Sequence, residues 1–108
     1  MFGKKSENGY RELLEGIEQK TLVYGEKTLM TEFRLKKGYT LPLHNHPYEQ
    51  TGYLITGKMK LYVGEESFDC EPGDSWCIPS DAEHYAEVFE DSLVLEVFSP
   101  VREDYLPQ

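Results

Sequence analysis

From Thr28 to Leu35 the chain reads TLMTEFRL, with Leu29, Thr31, Phe33 and Leu35 on alternate positions. Alternation with a period of two marks a strand with one buried face. The pattern recurs. In Lys58–Val63, Met59, Leu61 and Val63 oppose Lys58, Lys60 and Tyr62. Thr21–Tyr24, Thr51–Thr56, Ser67–Cys70, Ser75–Ile78, His84–Phe89 and Ser92–Ser99 are further β-rich runs. Turn residues separate them: Lys37-Gly38, a hinge at Gly57, Gly64-Glu65-Glu66, Glu71-Pro72-Gly73-Asp74, Pro79-Ser80-Asp81 and Glu90-Asp91. Pro fixes φ and Gly supplies φ > 0 at such points. Pro100 ends pairing after the last strand. Tyr10–Ile17 fits either a helical turn interrupted at Gly16 or an initial strand. Roughly eight to ten short strands and no long helix predict an all-β antiparallel sandwich or barrel.

At 108 residues the chain is expected to form one domain, 1–108, with a core over about 20–100 and a flexible N-terminus. That length buries enough surface to fold without disulfides. Cys70 and Cys77 form no CxxC and are expected to be reduced, partly buried thiols. The start, MFGKKSENGY, lacks an apolar stretch of leader length, and no run is long enough to span a bilayer. The expectation is a soluble cytoplasmic protein.

The net charge is −9, from 20 acidic and 11 basic residues. That excludes a nucleic-acid binder, which needs a basic stripe, and an anionic membrane surface as partner. An anionic small molecule would gain no long-range steering and would need a local cation.

The chemistry gathers in Gly38–Gly57, GYTLPLHNHPYEQTGYLITG. On a strand, i and i+2 share a face, so His44 and His46 present two imidazoles together. Imidazole is the commonest metal ligand among side chains. A His-x-His pair also occurs on ordinary surface strands. Here the only other histidine, His84, follows a second Gly/Pro-punctuated turn.

Gly38-x5-His44-x-His46-x3-Gln50-x6-Gly57 resembles the first motif of the cupin family, and Gly73-x5-Pro79-x-Asp81-x2-His84 resembles the second. The resemblance implies a small double-stranded β-helix, or jelly-roll barrel, with a metal in its mouth. This chain has Gln50 where the first motif usually has Glu, Asp81 where the second usually has Gly, and Val88 where Asn is usual. HNHPYEQTGY followed by LEVFSPVREDYL is similar to a subgroup of small cupins. It includes enzymes that open unsaturated monouronates to keto acids during pectin and alginate breakdown. That subgroup implies His44, His46, His84 and Gln50 as ligands, and Glu96, Phe98 and Arg102 as substrate-side residues. The subgroup usually has Asp in place of Glu96.

Four neutral ligands leave a divalent ion its full charge, which suits Lewis-acid work. Zn, Ni, Fe or Mn are candidates, and intrinsic affinity does not choose among them. The Gln50 amide also fits a hydrogen bond to a neighbouring strand, and alternation points Glu49 the other way. Glu96 shares a face with Phe98, where a carboxyl in an apolar barrel is costly unless paired or working. A solvent-facing Glu is the other reading of that position. Arg102 could clamp a substrate carboxylate or pair with Glu103 or Asp104 at the surface. Trp76, Tyr53 and Tyr85 read as core or rim.

The expected function is a metal-dependent isomerase or lyase-type enzyme acting on a small, anionic sugar acid such as an unsaturated uronate. The alternatives are a metal-dependent dioxygenase and a non-enzymatic metal- and ligand-binding cupin. Sheet edges that need covering predict a homodimer.

Overall fold

The computed structural model describes residues 1–107. Eight strands carry the chain: β1 (Arg11–Leu14), β2 (Ile17–Tyr24), β3 (Leu29–Leu35), β4 (Thr40–His44), β5 (Glu49–Val63), β6 (Glu66–Cys70), β7 (Ser75–Ile78) and β8 (His84–Ser99). A single 3₁₀ turn follows at Glu103–Tyr105. Gly16 takes φ +81° in the turn between β1 and β2, so Tyr10–Ile17 resolves into strand, turn and strand rather than helix.

All pairings are antiparallel. β5 and β8 pair along nearly their whole lengths and are shared by two sheets. One runs β1-β2-β3-β8-β5-β7, using the C-terminal half of β8 and the N-terminal half of β5. The other runs β4-β8-β5-β6 and uses the opposite halves. The two faces close over one core as a jelly-roll barrel, the double-stranded β-helix expected.

The sequence pattern splits β5 at Gly57 and β8 at Glu90-Asp91, and the structure corrects both. Each strand bends and continues. Gly57 takes φ +107°, and a Cβ there would lie 2.1 Å from Ser92 Oγ. The bend in β8 falls where its second partner changes from β4 to β3. Asp91 Oδ1 accepts from the Lys37 amide and Ser92 Oγ from the Lys58 amide. The two polar residues therefore dress a crossover, not a hairpin end.

Leu54, Ile17, Ile78 and Val94 are each at most 2% exposed and centre the main core. Burying a side chain of this size contributes roughly 1.5–3 kcal/mol. Leu29, Phe98 and Tyr105 form a smaller cluster beside it. Ile17 and Tyr105 thus tie both ends of the folded chain into the barrel. Cys70 is buried and Cys77 exposed, and both are free. Cys77 lies on the outer face of β7, although its apolar neighbours suggest burial. Among the described residues no helix is long and apolar enough to cross a membrane.

Candidate metal centre

Three short elements bring the histidines together. His44 is the last residue of β4 and stands directly opposite His84, the first residue of β8. His46 lies two residues beyond β4, in the loop before β5, rather than on the same strand as His44. The i, i+2 spacing still works because that loop is held. The Asp81 amide donates to the His46 carbonyl at 2.8 Å. Asp81 does so at φ +66°, the left-handed region that Asp tolerates better than most non-glycine residues. That accounts for an Asp where the family motif usually has Gly.

The ring centroids are 4.0 Å apart for His44–His84, 5.0 Å for His46–His84 and 5.6 Å for His44–His46. One nitrogen from each lies within 4.8 Å of the others. The same device orients all three. Each Nδ1 faces a backbone carbonyl: Pro42 at 2.8 Å, Tyr48 at 3.0 Å and Ala82 at 2.9 Å. A carbonyl only accepts, so each Nδ1 carries the proton and each Nε2 presents a lone pair. His84 Nε2 is buried with no partner among the described residues. His46 Nε2 lies 2.9 Å from Gln50 Oε1. With the tautomer set by Tyr48, that contact brings two lone pairs together, an arrangement that a shared cation resolves. The chemistry of the donor set therefore fits a divalent metal, and the His44, His46, His84 triad is placed to hold one.

His44 and His84 line a cavity of about 190 Å³ that also reaches Gln50, Glu96, Phe98 and Arg102. Leu13 and Leu14 of β1 and Leu41 of β4 contribute its apolar walls. Glu96 points into the barrel at 6% exposure, which settles its orientation in favour of the inward reading. Burial drives its pKa up to about 8, and the Gln50 amide and Trp76 indole that face it pull the other way. Oε2 itself is buried and has no hydrogen-bond partner among the described residues. Phe98 is 1% exposed and meets the His46 ring edge-on at 5.6 Å.

Arg102 makes the ion pair with Asp104, but through Nε alone, at 3.0 and 3.1 Å. Its terminal nitrogens hold no protein hydrogen bond among the described residues. Its Cζ lies 4.0, 5.0 and 5.5 Å from the ring centroids of Tyr105, Phe98 and Tyr48. Those rings hold the guanidinium by cation–π contact, with its free edge available. Tyr48 and Tyr105 escape a sequence reading because only the folded C-terminal turn brings them to Arg102. Trp76 and Gly52 also escape it. Gly52 could have been noticed as a glycine at an inward position of a strand, where it marks a close approach.

Burial lowers the pKa of His84 to about 4 and lowers that of His46 in the same direction. Between about 4 and the ordinary 6.5, native His84 therefore binds fewer protons than the unfolded chain. Stability rises with pH there. Native Glu96 binds more protons than the unfolded chain between the ordinary 4.5 and about 8, so its effect has the opposite sign. Above pH 6.5 only the Glu96 effect remains. Metal-stripped protein is expected to lose roughly 2 kcal/mol between pH 6.5 and 8, read as a falling Tm. Glu96→Gln should flatten that slope, and an equal slope in the variant would refute the assignment.

Residues 31–99 match the family described as Cupin domain. The pectin degradation protein KdgF of Dickeya dadantii strain 3937 is 26% identical over 102 residues, covering 93% of each chain. The solved structure of KdgF from a Halomonas species superposes with a TM-score of 0.92 at 28% identity, covering 98% of this chain and all of that one. An RmlC-like cupin from Shewanella frigidimarina gives a TM-score of 0.91 at 22% identity over 97% of this chain and 95% of its own, a likeness of fold.

Proposed function

The chain belongs to the cupin family, and from that premise we propose that it is a single-domain, metal-dependent enzyme that opens the ring of a sugar acid, with an unsaturated monouronate as substrate. The observation that carries this is the sharing of one cavity. His44, His84, a buried carboxyl and a guanidinium with a free edge line the same space, and His46 offers its nitrogen within 4.8 Å of those of the other two histidines. The likeness to two KdgF proteins, one named for pectin degradation, supports the substrate class.

His44, His46, His84 and the Gln50 amide oxygen hold the ion. When bound, it supplies Lewis acidity to a sugar oxygen. Arg102 takes the substrate carboxylate with its terminal nitrogens and opposes the acidic field of the chain. Phe98 forms a wall of the cavity and keeps water from it. Glu96 removes the proton of the ring hemiacetal hydroxyl. The ring C–O bond then breaks, leaving an aldehyde and an enol next to the carboxylate. The enol takes a proton at the former alkene carbon and becomes a keto acid. Atoms balance, so the step is an isomerisation. A carboxyl whose burial brings its pKa near neutrality suits both halves of such a transfer.

The test is product identity. Nuclear magnetic resonance of the reaction mixture should show an open-chain keto acid, with no dioxygen consumed. An oxygen-dependent product would favour a dioxygenase and overturn the reading. Saturable binding without product would make the protein a ligand-binding cupin.

The same reading takes the chain as a homodimer. The outward face of β5 and β8 carries Tyr53, Leu93, Leu95 and Val97, and Tyr53 is 45% exposed. An apolar sheet face of this kind commonly meets a second copy. Sedimentation at micromolar concentration should give twice the 12.5 kDa chain mass, and Leu95→Lys should return it to one. A monomeric wild type would contradict this.

A further inference from the structure

Gly52 lies on β5 with Trp76 of β7 opposite it on one side and Glu96 of β8 opposite it on the other. Residues directly opposite in an antiparallel ladder share a face. The row Trp76–Gly52–Glu96 therefore points into the barrel, with no side chain at its centre. The flanking groups lean into the space. A Cβ at position 52 would come within 2.2 Å of Trp76 Nε1 and 2.5 Å of Glu96 Oε2. The Gly52 backbone is not left-handed, so the glycine supplies room rather than a special φ.

Those two atoms share a further property. Trp76 Nε1 and Glu96 Oε2 are both sealed from solvent, and neither has a hydrogen-bond partner among the described residues. The indole N–H is a donor only, and a carboxyl oxygen can accept from it. A buried polar atom left without a partner is destabilising, and the two atoms face each other across the space over Gly52. Trp76 otherwise packs on the main core and also lines a separate groove of about 740 Å³ along β6 and β7.

We propose that Trp76 is a positioning residue for Glu96: its indole N–H, reaching over Gly52, holds Oε2 and so turns the other carboxyl oxygen toward the substrate cavity. What Glu96 then does rests on the function proposed above; the contact itself does not. A carboxyl side chain has a soft terminal torsion, and a single fixed donor removes that freedom. The glycine is part of the device, because any larger residue would separate the pair.

The chain contains one tryptophan, so a ¹H–¹⁵N correlation spectrum contains one indole N–H peak. In the protein as purified that peak is expected downfield, and Glu96→Leu, which leaves Trp76 in place, should move it upfield. A peak unchanged by Glu96→Leu would overturn the proposal. Trp76→Phe keeps the ring and removes the donor. It should lower kcat about 10- to 100-fold, with KM and metal content unchanged. Wild-type kcat in a folded Trp76→Phe protein would also overturn it. If the peak moves but no uronate is turned over by the wild type, the proposed substrate fails and the contact stands. If the wild type is active and the peak does not move, the contact fails and the substrate stands.

Discussion

Replacing His44 and His46 together by Ala is expected to abolish stoichiometric metal binding while leaving the barrel folded. His44 is exposed at the end of β4, and His46 sits in a loop outside both core clusters. His44 fills none of the interior, while His46 is 8% exposed and meets Phe98 edge-on, so its loss costs some packing beside the smaller cluster. Each contributes an Nε2 lone pair that a backbone carbonyl on Nδ1 has aimed inward. Removing both leaves His84 and Gln50, too few to hold a divalent ion tightly. His84 is the poorer choice for this test because it is 4% exposed and its loss would open a hole. Elemental analysis reads the metal, and thermal unfolding reads the fold. A ligand that binds only the native state at 1,000 times its Kd adds about 4 kcal/mol. The wild-type Tm should therefore rise on adding metal, and the double variant should show no rise. Stoichiometric metal in the variant would refute the site.

Glu96→Gln is expected to lower kcat by about 10²–10⁴-fold, the usual range for a general acid–base group, with metal content unchanged. The substitution keeps size and hydrogen-bonding shape and removes only the transferable proton. Arg102→Ala should act differently. Asp104 occupies Nε and the Tyr105 ring backs the guanidinium, which leaves the terminal nitrogens for a carboxylate. Loss of that charge-assisted pair should appear mainly in KM, lowering kcat/KM about 10- to 100-fold. Arg102→Lys should rescue little, since a point charge replaces a planar fork. A wild-type rate in Glu96→Gln would remove it from the chemistry even if the substrate class held.

The strands that could be read from the chain were those bounded by strong local signals. β7 runs Ser75–Ile78 as expected, because a Pro-Gly turn precedes it and Pro79 follows. The inward face of β3 was visible in its alternation. The bends in β5 and β8 were not. Gly57 and Glu90-Asp91 look like strand ends locally, and only pairing across the barrel shows that both strands continue. The site divides along the same line. His44, His46 and His84 stand out by spacing and scarcity. The roles of Trp76, Gly52, Tyr48 and Tyr105 depend on cross-strand register or on the fold of the C-terminal turn, which no short window contains. The inward direction of Glu96 was open to two readings until its neighbours on β3 and β5 were known.

The most direct test of the proposed enzyme is the rate at which an unsaturated monouronate loses its conjugated ultraviolet absorbance. The wild type reconstituted with Zn, Ni or Mn should accelerate that loss well beyond the spontaneous rate, and metal-stripped protein should not. A reconstituted wild type no faster than buffer with each of the three metals would contradict the central claim.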